Sequence, residues 1–144
     1  MLSDVKGLHV RGQSDPRFDS NYWLCTITVD ENLKIKGQEN AYKEAITKAI
    51  GGAAGVIHAG GGIHTDCEPN TNVEALRLYL DAAQIEARPL WKPMHLQPVY
   101  KDSPAYVNGV SEGIFRVGLC LPSGPCVGDD EIRYIVSMIK EAID

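Results

Sequence analysis

Several features are missing from this sequence, and each absence narrows what it can be. No block of Lys and Arg stands out, the net charge is -5 and the pI about 5.3, so the basic footprint of a nucleic-acid binder is lacking. No apolar run approaches the roughly 20 residues that a membrane-spanning helix needs. The opening MLSDVKGLHV has neither an apolar h-region nor a small-residue cleavage site, unlike a secretory leader, so a cytoplasmic protein is expected. The four cysteines, Cys25, Cys67, Cys120 and Cys126, form no CxxC pair. In a reducing compartment they are expected to stay free and to serve mostly as small buried hydrophobes. Internal repeats and low-complexity tails are also missing.

What remains is enough for one folded unit. The chain has 144 residues, 44% of them apolar, which suits a single domain. A domain of this size buries roughly 68–70% of the surface its unfolded chain exposes.

Residues 1–20 are polar and turn-rich, with Asp15-Pro16 and Asp19-Ser20 as breakers. Tyr22 to Val29 alternates with period two and predicts a strand. Trp23, Cys25, Ile27 and Val29 fall on one face, with Tyr22, Leu24, Thr26 and Thr28 on the other. Residues 30–40 read as a loop. Asn40 is placed to cap a helix through Ile50, with a Glu44–Lys48 pair on its side and Gly51-Gly52 as its stop. The Gly- and Ala-rich stretch Gly51–Gly62 reads as a loop with at most one short strand.

Thr71-Asn-Val-Glu74 matches a capping box ahead of Leu76, Leu78 and Leu80, predicting a helix to about Gln84. Ile85–Leu90 reads as a short strand that runs into a proline-containing segment. Ser111 is a candidate cap for a helix through Val117, and Gly118–Pro122 is another short strand. Asp129-Asp130-Glu131 opens a helix with Ile132, Ile135, Val136 and Ile139 at i, i+3, i+4 and i+7. Its three acids suit the positive end of the helix dipole. Few strands, mixed with helices, predict an α+β fold: a small, mainly antiparallel sheet with helices packed on one face.

Two segments go beyond generic pattern, Glu86-Ala-Arg-Pro-Leu-Trp-Lys-Pro-Met-His-Leu-Gln-Pro98 and Gly118-Leu-Cys-Leu-Pro-Ser-Gly124. With Ser20-Asn-Tyr-Trp-Leu24, they resemble the C-terminal small domain of the DegT/DnrJ/EryC1/StrS aminotransferases. That resemblance covers residues 17–33 and 70–144, while residues 34–69 depart from it as an insertion. It implies fold-type I enzymes that use pyridoxal phosphate to aminate nucleotide-linked keto-sugars, with glutamate as amino donor, for cell-surface polysaccharides or glycans. It also implies that the cofactor, its Schiff-base lysine and its phosphate-binding groups belong to a large domain preceding this region. None of Lys6, Lys34, Lys36, Lys43, Lys48, Lys92, Lys101 and Lys140 sits in a sequence like the family's lysine motif. The chain by itself is therefore expected to hold no cofactor and to contribute no catalytic residue.

The same resemblance marks Trp91, Lys92, Met94 and His95 as the substrate-side candidates. Trp91 offers a flat face to a sugar or base, and Lys92 and His95 suit a diphosphate or sugar hydroxyls. The plainer reading makes Trp91 and Met94 packing residues at a domain seam and Lys92 a solvated cation. Arg88 and Asn21 join the substrate-side candidates, against structural roles in a carboxylate pair and a turn. His58, His64, Asp66, Cys67 and Glu68 carry metal-capable side chains, but their spacing fits no standard zinc pattern, so no metal is expected. Gly51-Gly-Ala-Ala-Gly55 lacks the Gly-Lys-Ser/Thr ending of a phosphate loop. The partners implied are a large cofactor-binding domain or a full-length homologue, a nucleotide-sugar, and a second copy through self-association; neither nucleic acid nor membrane is among them. The competing reading is a catalytically dead module that binds sugar nucleotides or docks on a homologue.

Overall fold

Alternating apolar residues build the centre of the sheet. In the computed structural model, which describes residues 1–13, 15–42 and 68–143, strand β2 runs Cys25–Val29. Ile27 and Val29 are wholly buried. Strand β1, Leu8–Arg11, lies antiparallel on one side with Leu8 opposite Val29. On the other side is the strand Gly118–Leu121, with Leu119 opposite Ile27. A two-residue strand at Arg88–Pro89 completes the sheet and is β3 in chain order, which makes Gly118–Leu121 β4. The spatial order is β1-β2-β4-β3, all antiparallel.

Among the described residues, two helices cover the apolar face. Helix α1, Thr71–Ala82, contributes Val73, Leu76 and Leu80, and the last helix, Asp129–Ala142, contributes Ile135, Ile139 and Ala142. They meet Ile27, Val29, Leu119 and Leu121 in one core. Burying each large aliphatic side chain there stabilises the fold by about 1.5–3 kcal/mol. Summed over the core, that is several times what the two-residue β3 pairing contributes, at about 0.2–1 kcal/mol per cross-strand pair. Between these helices lies α2, Val110–Val117, so the last helix is α3. The α+β architecture with a small antiparallel sheet is the one the pattern predicts.

Several local expectations are corrected. β1 lies inside a segment that reads as turn-rich, because only Leu8 of its four residues is buried. Trp23 does not share the core face: the strand begins at Cys25 and Trp23 is 74% exposed. A bend at Leu24 ends the alternation before it reaches Trp23, and Tyr22 beyond it has φ 48. The capping box does not form. Asn70 is the N-cap residue and its side chain makes no cap bond. Thr71 Oγ1 instead accepts from Gln38 Nε2 at 3.0 Å, and Glu74 takes Arg77 in two 2.8 Å bonds. Helix α2 starts at Val110, after Gly109 at φ 81, so Ser111 is inside it and not its cap. Ile35, in the presumed loop, is buried and bridges to Ile143.

Asn40 ends one turn of 3₁₀ helix, Gln38–Asn40. The helix expected after it, with Glu44 and Lys48, and the Gly-rich stretch 51–62 lie outside the described residues. The acidic start of α3 behaves as predicted, with Glu131 Oε2 accepting from the Gly128 amide at 3.0 Å. No helix among the described residues is long and apolar enough to cross a membrane.

Candidate functional site

Prolines shape the segment that leaves β3. Pro89 ends the strand after two residues, because a proline has no N–H for the ladder. Pro93 is buried and starts a 3₁₀ turn over Met94–Leu96; Pro98 starts another over Pro98–Tyr100. Gln97 folds back, its Nε2 donating to the Lys92 carbonyl at 2.9 Å. The result is a braced ribbon. Its base is Leu90, packed so tightly on β4 that residue 118 has room only for glycine.

The ribbon divides its four candidate residues in two. Lys92 and His95 turn toward the protein. Lys92 Nζ lies 3.3 Å from Glu68 Oε1 and 6.0 Å from the centre of the Phe115 ring, and its side chain is 12% exposed. His95 Nε2 lies 2.7 Å from Glu112 Oε1 on α2, with the imidazole side chain 18% exposed. Trp91 and Met94 stand out instead, 69% and 61% exposed. Trp91 and Met94 are left uncovered by the described residues, as packing residues at a seam with another domain would be, and Lys92 is sheltered rather than solvated. Phe115 is buried apart from the main core and gives the lysine stem its seat.

The other two candidates are engaged elsewhere. Arg88 holds Glu86 Oε1, with Nε at 2.7 Å, and both side chains are exposed. Asn21 Oδ1 accepts from the Trp23 amide at 3.1 Å, beside Ser20 Oγ, which accepts from the Tyr22 amide at 3.1 Å. Ser123 Oγ then donates to the Trp23 carbonyl at 2.9 Å. This last bond brings the Asn-Tyr-Trp and Leu-Pro-Ser-Gly segments together, across a separation that no local pattern reveals.

Glu68, Glu112 and Phe115 are the residues that sequence reasoning did not connect to the ribbon. Glu68 follows His58, His64, Asp66 and Cys67 in sequence, and those four lie outside the described residues. Among the described residues, no group of three His, Cys, Asp or Glu is arranged to hold a metal. Near Glu68, the Tyr42 hydroxyl donates to the Pro69 carbonyl. Burial, with Glu74 and Glu68 nearby, pushes the Tyr42 pKa well up. Cys25 and Cys120 are half-buried and their thiols are pushed up by burial, whereas Cys126 is exposed.

The model of the DegT/DnrJ/EryC1/StrS aminotransferase family matches residues 61–140. The "putative pyridoxal phosphate-dependent aminotransferase EpsN" of Bacillus subtilis (strain 168) is 41% identical over 59 residues, 38% of this chain and 15% of the relative. GDP-perosamine synthase of Escherichia coli O157:H7 is 32% identical over 68 residues, 47% of this chain and 18% of the relative. The chain thus spans less than a fifth of either relative's length. Among solved structures, the aminotransferase TlmJ from Streptoalloteichus hindustanus superposes with a TM-score of 0.58 at 13% identity, over 98% of this chain and 27% of that one. That likeness concerns the fold.

Proposed function

Because the chain belongs to the DegT/DnrJ/EryC1/StrS aminotransferase family, we propose that it is the small C-terminal domain of a sugar aminotransferase. In this reading it works with a large domain, from a longer polypeptide or a separate chain, that carries pyridoxal phosphate. The substrate class is a nucleotide-linked keto-sugar, processed in the cytoplasm for surface polysaccharide or glycan synthesis. GDP-perosamine synthase, by its name, concerns a nucleotide-linked sugar, which favours that class here. The observation that carries the proposal is the ribbon: a rigid segment within the family match that leaves Trp91 and Met94 exposed while anchoring Lys92 and His95.

The described residues do not fit a resident pyridoxal phosphate. A Schiff-base lysine has to be desolvated and poised for attack. Lys6, Lys34, Lys36, Lys101 and Lys140 are exposed, and the sheltered Lys92 is committed to Glu68. In the proposed enzyme this chain's share is therefore to bind and orient. Trp91 supplies a flat apolar face to the sugar ring, Met94 adjusts to its edge, and the His95 ring supplies a hydrogen bond. Bringing the ribbon against the large domain would also exclude water from the reacting centre.

Purifying the native protein from its source, then measuring intact mass and bound pyridoxal phosphate, tests this. A cofactor-bearing polypeptide that contains or accompanies the chain is expected. A native chain of 15.7 kDa without any cofactor-bearing companion would refute the aminotransferase role and leave the binding-module reading.

A further inference from the structure

The His95–Glu112 contact decides which ring nitrogen faces a ligand. An ionised carboxylate has only lone pairs, so the 2.7 Å contact from His95 Nε2 to Glu112 Oε1 requires the proton on Nε2. A neutral ring has one N–H, which leaves Nδ1 as an acceptor. His95 makes no other hydrogen bond within the described residues. Among those residues, no buried side-chain nitrogen or oxygen lacks a partner. Nδ1, which has none, therefore reaches solvent. Glu112 lies in the first turn of α2, where the helix dipole favours a negative charge. Lys92 has its own acid in Glu68.

We propose that Glu112 is a positioning residue: it fixes His95 as the Nε2–H tautomer and so presents Nδ1 as an acceptor to a sugar hydroxyl. This deepens, and rests on, the reading of the ribbon as the sugar-side wall. A hydroxyl has a proton to give to Nδ1; a fully ionised diphosphate has none. With Nδ1 unprotonated, the pair therefore recognises the sugar of a sugar nucleotide and not its phosphates. Trp91, exposed on the same ribbon, supplies the flat face that ring C–H groups pack on.

The test is ring-nitrogen NMR of the chain labelled with ¹⁵N-histidine near pH 7.5, with His95→Gln assigning the signals and Glu112→Ala as the probe variant. The wild type is expected to show a protonated Nε2, an unprotonated Nδ1 and an Nε2 proton protected from exchange. Glu112→Ala should lose that protection while keeping its backbone amide spectrum. Adding UDP-glucose at millimolar concentration should move the Nδ1 signal, UDP alone should not, and the apparent affinity should fall at least threefold in Glu112→Ala. A wild-type ring protonated on Nδ1, or protection that survives in Glu112→Ala, overturns the couple. An intact couple whose Nδ1 ignores UDP-glucose leaves Glu112's hold on the ring standing and sinks the sugar-wall reading beneath it. A response to UDP alone overturns the preference for hydroxyl over phosphate.

Discussion

Gly118→Ala tests how the ribbon is seated. Gly118 has φ -99 and ψ 143, ordinary extended backbone that alanine adopts without strain. Any cost must come from space. A Cβ at 118 would fall against Leu90 Cδ1, 2.8 Å from Leu90 Cγ and 2.7 Å from the Ile114 carbonyl oxygen. The Leu90 side chain can rotate away, but the Ile114 oxygen belongs to α2 and moves only with the helix. Overpacking of this kind costs about 1–3 kcal/mol. With an unfolding entropy near 2.1 cal/mol/K per residue, that lowers Tm by about 3–10 °C for a chain of this length. Thermal unfolding followed by circular dichroism measures it. Leu90→Ala combined with Gly118→Ala should be less destabilised than the sum of the single changes, by about 1 kcal/mol, because one of the two clashes has gone. A Tm for Gly118→Ala within 1 °C of wild type would show that β4, α2 and the ribbon are not packed as described.

Asn72 is buried and its Nδ2 donates to the Asp30 carbonyl at 2.7 Å; Asn72→Ala should cost about 1–3 kcal/mol in urea unfolding. The Tyr42 hydroxyl titrates near its ordinary value of 10.0 in the unfolded chain but higher in the fold. Its stabilisation is thus complete below that value and is lost as pH rises toward the folded pKa. The fall in Tm between pH 9 and 11 should accordingly be shallower in Tyr42→Phe. With an alkylating reagent near pH 8 followed by peptide mapping, Cys126 should react well before Cys25 and Cys120, which are half-buried with raised thiol pKa values. Trp91, Met94, Val99, Tyr106 and Val110 are all exposed, and apolar surface of that extent tends to be covered. Light scattering should therefore show dimers or larger species at high micromolar concentration, and Trp91→Ser should shift them toward monomer.

The sequence made legible those elements whose burial is decided by their own periodicity. Ile27 and Val29 in β2, and Ile135 and Ile139 in α3, are buried as their spacing predicts. Where a distant group competes for the same side chain, local pattern misleads. Thr71 and Glu74 match a capping box, yet Gln38 claims one and Arg77 the other. Trp23 continues an alternation that a bend at Leu24 has already ended. β1 escapes notice because an edge strand with one buried residue has no apolar alternation to show. At the candidate site the ribbon residues were legible because they are contiguous. Their partners were not: Glu68, just ahead of α1, and Glu112, on α2, come to Lys92 and His95 from separations of 24 and 17 residues.

The Tyr42–Pro69 hydrogen bond, with Gln38 holding Thr71 beside it, has a consequence for how this fold can change. It makes a clasp at the neck between the stretch before residue 43 and the start of α1. Loosening at Gln38 or Tyr42 is therefore felt first at the start of α1, whose Leu76 and Leu80 still hold the helix to the sheet.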